Sequence, residues 1–209
     1  NKCINLYEQK YIFDKKNNLI DFKILDQFLE GNIFKIEKSI GKFISNISII
    51  IEYKAIFKVD LGIKKKTYEK FVNKKNLEKA IIEAKDIFKE NYQQEKIMHI
   101  VIISYLINGN YYSSISDNLK SDNFCLEIEF RSISFNFMND IEKILKKYHI
   151  KIDNYLDGNY IKNFYHDTEM SFSKAVYDIL RGCNENEVKL IPKNTKKTGF
   201  FEKFFQLFS

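Results

Sequence analysis

The feature that most limits how this chain can fold is an alternation of apolar and charged residues near its middle. The apolar positions are Phe124, Leu126, Ile128 and Phe130, and the charged positions between and after them are Glu127, Glu129 and Arg131. Successive side chains of a β-strand point to opposite faces, so a period of two predicts a strand with one buried and one solvated face. We predict this strand over residues 124–137, which requires a sheet and excludes an all-helical centre.

Segments around this strand predict further strands and helices. Compact or alternating apolar runs predict strands over residues 47–51, 54–61, 97–107 and 150–153. Apolar residues at three- and four-residue spacing predict helices over 22–29, 34–43 and 172–180. The same spacing predicts a long helix that begins at Asn73 and another that is capped by Asn139. The order strand, helix, strand, strand, helix, strand predicts a small α+β domain over residues 45–156.

The last eleven residues, 199–209, have the pattern of an amphipathic helix. At 100° per residue, one continuous arc holds the apolar side chains, which are Phe200, Phe201, Phe204, Phe205, Leu207 and Phe208. The lysines beside this arc are Lys193, Lys196, Lys197 and Lys203. An apolar stripe next to lysines predicts a helix that lies in a membrane interface, and it is too short to span a bilayer. Docking of the same stripe onto the protein's own body or into a partner's groove is the alternative.

The distribution of charge argues against nucleic acid as a partner. The formal net charge is +6, from 34 basic and 28 acidic residues. From Lys189 to the end, five lysines face Glu202 alone, so this segment supplies +4 of the +6 and the rest is near neutral. Nucleic-acid binding needs a basic stripe on the folded body, and arginine occurs only at positions 131 and 181.

No pattern in the sequence predicts an active site, a cofactor site or a metal site. His99 lies in an apolar run and is more typical of a core histidine than of a ligand, and His149 and His166 have no acidic or cysteine neighbours at metal-ligand spacing. The three cysteines form no CxxC pair, which fits a reducing cytosol. Glu127 and Glu129 are interpreted as a solvated strand face. We therefore predict a protein that is not an enzyme and holds no cofactor.

The stretch Met98-His-Ile-Val-Ile-Ile-Ser-Tyr-Leu-Ile-Asn-Gly109 resembles a motif of FtsA, the actin-like protein that anchors the bacterial division ring to the membrane. The family's motif is His-Val-Ile-Pro-x-x-Tyr-x-Ile-Asp-Gly, and the matching residues are His99, Tyr105 and Gly109. Ile102 replaces the proline, and Asn108 replaces the aspartate. The strand and helix that follow, the segment 172–180 and the basic linker with its terminal helix are similar to later parts of the family in the same order.

The resemblance implies a division of the chain into five parts. Residues 1–44 would be a remnant of the actin-like N-terminal lobe, and 45–156 an insert domain of FtsA type. Residues 157–183 would be a helical remnant of the actin-like core, 184–198 a basic linker and 199–209 a membrane-targeting helix. Members of the family bind ATP through glycine-rich loops, but the seven glycines here form no such cluster. The resemblance therefore implies that the nucleotide cleft is missing.

Together with the predicted terminal helix, the resemblance implies a non-catalytic, membrane-tethered cell-division scaffold at the septum, on the cytoplasmic face of the inner membrane. Its partners would be an anionic membrane surface and division proteins, either FtsZ or the late-recruited proteins, together with further copies of itself. In the family, FtsZ binding belongs mainly to the missing lobe, whereas self-association and late recruitment belong to the insert domain. Two alternatives stay open: a pilus-assembly-type relative of the same fold, and a degenerate remnant of FtsA without function.

Overall fold

The computed structural model of the 209-residue chain describes residues 22–52, 56–67, 71–115, 119–165 and 172–189. These residues form two compact units. The flanking unit comprises the described residues up to Glu52 and those from Phe135 to Tyr177. The sheet unit comprises the described residues between them in the sequence, up to Ser134, and those from Asp178 onward. No helix in the described ranges is long and apolar enough to cross a membrane.

The fold is a mixture of helices and strands, which confirms the predicted α+β class. In chain order the elements within the described residues are α1 (Phe22–Ile40), β1 (Asn46–Ile51), β2 (Phe57–Lys66), β3 (Phe71–Val72), α2 (Lys74–Asn91), β4 (Glu95–Ile107), β5 (Asn110–Tyr112), β6 (Leu119–Lys120), β7 (Asn123–Ser134), α3 (Phe135–Lys146), β8 (Lys151–Asp157), α4 (Gly158–Phe164) and α5 (Phe172–Leu180).

An antiparallel four-stranded sheet, in the order β2-β7-β4-β5, organises the sheet unit. β7 pairs with β2 without a break, from Phe57 opposite Ser132 to Lys66 opposite Asn123. The alternation predicted for β7 is confirmed, because its apolar side chains are almost completely buried: Phe124, Leu126, Ile128 and Phe130. This buried face of the sheet, called the inner face below, is the one on which α2 packs.

Helix α2 begins where the sequence predicts. Asn73 is its N-cap, and a reciprocal capping box joins the Asn73 side chain to the backbone N–H of Asn76 and the Asn76 side chain to the backbone N–H of Asn73. Ala80, Ile81, Ala84 and Phe88 are buried on one side of the helix. The ring of Phe88 stacks on that of Phe130 with 4.9 Å between centroids, so an aromatic pair is part of the packing between the helix and the central strand.

The flanking unit is built around two parallel strands. β1 pairs with β8 from Asn46 opposite Lys151 to Ile51 opposite Asp157, with one irregularity. Its buried core includes Leu29 of α1 together with residues of α3 and the segment that follows: Ile141, Ile144, Leu145 and Ile150. Asp157, 1% exposed, ends β8 and caps α4, since its carboxylate accepts hydrogen bonds from the backbone N–H groups of Asn159 and Tyr160.

Several predicted boundaries were wrong. The two helices predicted over 22–29 and 34–43 are one continuous helix, α1, because Gly31 does not interrupt it. β7 ends at Ser134, and α3 begins at Phe135, so Asn139 is not a cap. The alternation of Phe135 and Phe137 was interpreted as a strand, but Phe137 packs edge-on against Phe22 of α1, with 5.4 Å between centroids. Phe137 precedes Ile141 by four positions, which is the spacing of residues on one face of a helix.

The two units also divide the chain differently from the predicted 45–156 domain. β1, α3 and β8 belong to the flanking unit, because β1 pairs with β8 and with no strand of the four-stranded sheet within the described residues. β2 lies at 57–66, later than the predicted 54–61, and α4 was not predicted. Helix α5 was predicted correctly. The predicted linker beyond Lys189 and the predicted terminal helix lie outside the described residues.

Candidate functional site

The first candidate feature is the tight hairpin that joins β4 and β5. Its two central residues both have positive φ, 51° at Asn108 and 82° at Gly109, which is the requirement of a type I′ turn. Gly109 adopts this conformation without a steric penalty, and asparagine tolerates it better than most residues. The Asn108 side chain donates to the carbonyl of Lys120 and accepts from the hydroxyl of Ser121, each at 2.8 Å. The hairpin is thereby held to the β6 segment.

Tyr105, the second residue of the sequence motif, lies on β4 within this hairpin, opposite Tyr112 of β5. Its side chain is buried in the core of the sheet unit, and residue 105 is only 7% exposed. Burial raises the pKa of the Tyr105 phenol, because the charged phenolate would lose its hydration. Tyr105 is therefore a packing residue of the sheet.

His99, the first residue of the sequence motif, forms a buried pair with Glu187. Its Nδ1 lies 2.7 Å from the Glu187 carboxylate, and the exposed fractions of the two side chains are 1% and 6%. The backbone joins the same segments: Ile102 N–H donates to Asn186 and Val188 N–H donates to Ile100, both at 2.8 Å. Residues 186–188 therefore pair with the middle of β4, where Val101 lies opposite Glu187.

Charged side chains continue across the outer face, which is the face of the sheet opposite α2. Arg131 lies opposite His99 in the register of β4 and β7, and its Nε lies 2.5 Å from a Glu129 carboxylate oxygen. The Lys58 ammonium lies 4.0 Å from the other oxygen of Glu129. Glu127, the next carboxylate along β7, accepts a hydrogen bond from the Ser104 hydroxyl.

The prediction that this face is solvated was wrong for its central part. Arg131 is 6% exposed, and the Glu129 side chain 16%. β7 is a central strand, so residues of both neighbouring strands contact its charges: Lys58 of β2 lies beside Glu129, and Ser104 of β4 donates to Glu127. Within the described residues no three potential metal-ligating side chains come together. The cluster can fix the position of residues 186–188 by charge-assisted hydrogen bonds, and this is a structural role.

A second candidate surface is the outermost strand, β2. Within the described residues it pairs with β7 alone, so its other edge carries no strand. Its outer-face positions 58, 60, 62, 64 and 66 are all exposed. On the inner face, Val59, Leu61 and Ile63 belong to the core and Lys65 pairs with Glu83 of α2. A ten-residue strand with a regular register and an open edge is a ready surface for pairing.

A third surface lies at the end of α1 in the flanking unit. Phe34 and Phe43 are 74% and 86% exposed, and three lysines that lie along the same stretch are also exposed: Lys35, Lys38 and Lys42. Gly41, with a φ of 73°, ends the helix, and the backbone N–H of Ile44 donates to the Glu37 carboxylate. Exposed aromatic side chains of this size are typical of contact surfaces.

The structure brings the three motif residues onto one strand and its turn. It describes neither the apolar arc of the terminal helix nor the predicted lysines of its linker, since residues 190–209 lie outside the described ranges. Sequence reasoning missed Glu187, because no local pattern could indicate a partner 88 positions away from His99. No protein-family model matches the chain, and no curated protein matches it.

Proposed function

We propose that this protein is a non-catalytic scaffold that is tethered to a membrane by its last eleven residues and acts in bacterial cell division, as FtsA does. The observation that carries the proposal is the complete separation of apolar and polar residues in the segment 199–209, behind a lysine-containing linker. The motif His99, Tyr105 and Gly109, with its order relative to the later motifs, supports the comparison with FtsA. The finer assignment of the sheet unit as part of an FtsA-type insert domain belongs to this proposal.

The chemistry of the described residues supports a role without catalysis. The most buried ionisable pair, His99 and Glu187, is engaged in holding residues 186–188 to β4. The neighbouring charges Arg131 and Glu129 bind each other. Groups that satisfy one another in this way stabilise a fold, and we propose that binding surfaces, not a reaction centre, perform the function.

The energetics of the tail favour reversible attachment. A large apolar side chain contributes ~1.5–3 kcal/mol when it is fully buried, and only part of that at an interface. Each nearby lysine adds about 1 kcal/mol at an anionic surface. Ordering the tail costs on the order of 1 kcal/mol per residue or more, which offsets most of this gain. One tail therefore binds weakly, and several tails on an assembly bind far more tightly through their effective concentration.

The proposed partners are an anionic lipid surface, division proteins (FtsZ or late-recruited proteins) and other copies of this chain. The proposed location is the septum, on the cytoplasmic face of the inner membrane. A pilus-assembly relative is the second candidate, and ATP binding separates it from the first because such a relative needs an intact cleft. A remnant without function is the third, and it predicts no septal enrichment.

The proposal is tested by imaging a fluorescent fusion of the full chain in dividing bacteria. We expect a septal band that is lost when Phe204 and Phe205 are both replaced by Asp. The matched control is Gln206→Asp with Ser209→Asp, which adds the same charge to the polar arc and is expected to keep the band. A diffuse signal for the unmodified chain would contradict the scaffold. Calorimetric titration with Mg-ATP is expected to give only the heat of dilution, and micromolar binding would favour the pilus-type alternative.

A further inference from the structure

We propose that the open edge of β2 binds an extended acidic segment of a partner protein, which adds to the sheet as one more strand. The proposal concerns a surface of the sheet unit and does not depend on the terminal helix. Strand addition joins backbone to backbone, so affinity comes from the main chain and selectivity from the alternate side chains.

The backbone of β2 is suited to this mode of binding. All ten of its residues are in register with β7, from Phe57 opposite Ser132 to Lys66 opposite Asn123, without a bulge. Edge strands are protected from pairing by shortness, bulges, proline or charged side chains, and of these features β2 has only the charges, which are mostly lysines. Lysines oppose a basic or identical strand and leave the edge open to an acidic one. The outward N–H and C=O groups of β2 therefore repeat at the regular spacing that an added strand needs.

The charges of β2 select the partner. Lys58 approaches Glu129 and Lys65 pairs with Glu83, but the exposed Lys64 and Lys66 form no ion pair within the described residues. Both project from the outer face near the end of the strand. An added strand would place alternate side chains directly beside them, so carboxylates at those positions complement the edge.

The same charges disfavour a second copy of this chain as the occupant. β2 carries four lysines and Asp60, a net charge of +3 from the sequence. In a two-fold antiparallel pairing centred on Gly62, Asp60 would face Lys64, but Lys58 would face Lys66 at both ends. Like charges directly opposite one another are destabilising, so the edge favours an acidic partner over itself.

Gly62 marks the centre of the docking surface. It is exposed, and a Cβ added there would meet only the Cys125 sulfur, at 3.7 Å, so packing does not require glycine. A glycine inside a strand weakens it and commonly marks a place where another backbone approaches closely. At the start of the strand, Phe57 is 38% exposed and rests on Tyr92, with 5.1 Å between centroids. In the partner strand, the side chains between the acidic residues would point to the inner face, and apolar residues at those positions would cover the Phe57 ring.

The test uses fluorescence anisotropy with the full chain and a labelled ten-residue peptide that alternates Val and Glu. We expect saturable binding, and no binding of a matched Val–Lys peptide. Two further Val–Glu peptides carry N-methyl groups on alternate amides, one set for each edge of the strand. Methylation of the bonding edge is expected to abolish binding, and methylation of the other edge to retain it. Equal effects of the two sets, or no binding of the Val–Glu peptide, would overturn the proposal.

Variants locate the site. Lys64→Glu with Lys66→Glu is expected to weaken binding of the Val–Glu peptide by about tenfold or more. The control, Lys75→Glu with Lys79→Glu, makes the same change of charge at exposed positions of α2 and is expected to stay within about twofold. Equal weakening of peptide binding by both lysine pairs would show that the peptide does not bind at β2. A dimer in sedimentation that depends on β2 would also overturn the proposal, since a second copy of the chain would then occupy the edge.

Discussion

In the sheet unit each long strand pairs with long neighbours, whereas the flanking unit contains one pair of strands drawn from distant parts of the chain. β7 lies between β2 and β4, and its apolar side chains meet one face of α2. β1 and β8 form a two-stranded parallel pair whose members are separated in the sequence by the whole four-stranded sheet. Parallel strands usually need cover on both faces, so the flanking unit depends more on its helices. The strand pattern therefore organises the sheet unit, whereas the packing of helices organises the flanking unit.

The contrast between the units is greatest for substitutions in the core of the sheet unit. Phe88→Ala removes a completely buried ring that stacks on Phe130, and we expect a loss of about 3–5 kcal/mol in the free energy of unfolding. The matched change in the flanking unit, Phe34→Ala, removes a ring that is 74% exposed and is expected to change it by less than about 0.5 kcal/mol. Urea denaturation measures both. Equal losses would remove the energetic contrast between these two positions.

An intermediate effect is expected at the start of α2. Asn73→Ala removes the capping box with Asn76, which is expected to cost about 0.5–2 kcal/mol. Asn91→Ala is the control at the other end of the same helix, where the side chain donates to the Ile87 carbonyl from an exposed position. We expect the Asn91 variant to lose less. If the two variants were equally destabilised, the capping box would not be what fixes the start of α2.

The parts of the fold that could be predicted from the sequence are those with local signals, and the parts that could not are contacts between distant segments. The alternation in β7 and the cap of α2 are local signals, so these elements and the turn at Asn108 were predictable. The pairing of β1 with β8 was not, because neither strand identifies a partner about 100 residues away. The burial of Arg131 and the contact between His99 and Glu187 were hidden for the same reason: both depend on strands that meet only in the folded chain.

A smaller change in the free energy of unfolding is expected at alkaline pH, and one tyrosine in each unit contributes to it. Burial raises the pKa of Tyr105 in the sheet unit. Burial, followed by the hydrogen bond to Glu142, raises the pKa of Tyr155 in the flanking unit. Above the ordinary value of 10.0, the unfolded chain loses a proton that the native phenol retains. The free energy of unfolding therefore falls as pH rises above about 10, and it is unaffected by these groups at lower pH.

Tyr105→Phe and Tyr155→Phe are each expected to make this decline shallower, and their combination more so. The measurement is urea denaturation between pH 8.5 and 11, with the exposed Tyr111→Phe as the control. A decline that is unchanged in the double variant would show that these two phenols are not its source.

Flotation of the full chain with liposomes tests the proposal that residues 199–209 bind a membrane. We expect flotation on anionic vesicles, loss of flotation when Phe204 and Phe205 are replaced by Asp, and retention in the control with Gln206→Asp and Ser209→Asp. Lys196→Ala with Lys197→Ala is expected to weaken flotation, more on anionic than on neutral vesicles. If the Phe204 and Phe205 variant floated as well as the unmodified chain, the apolar arc would be packed on protein and the membrane tether would be wrong.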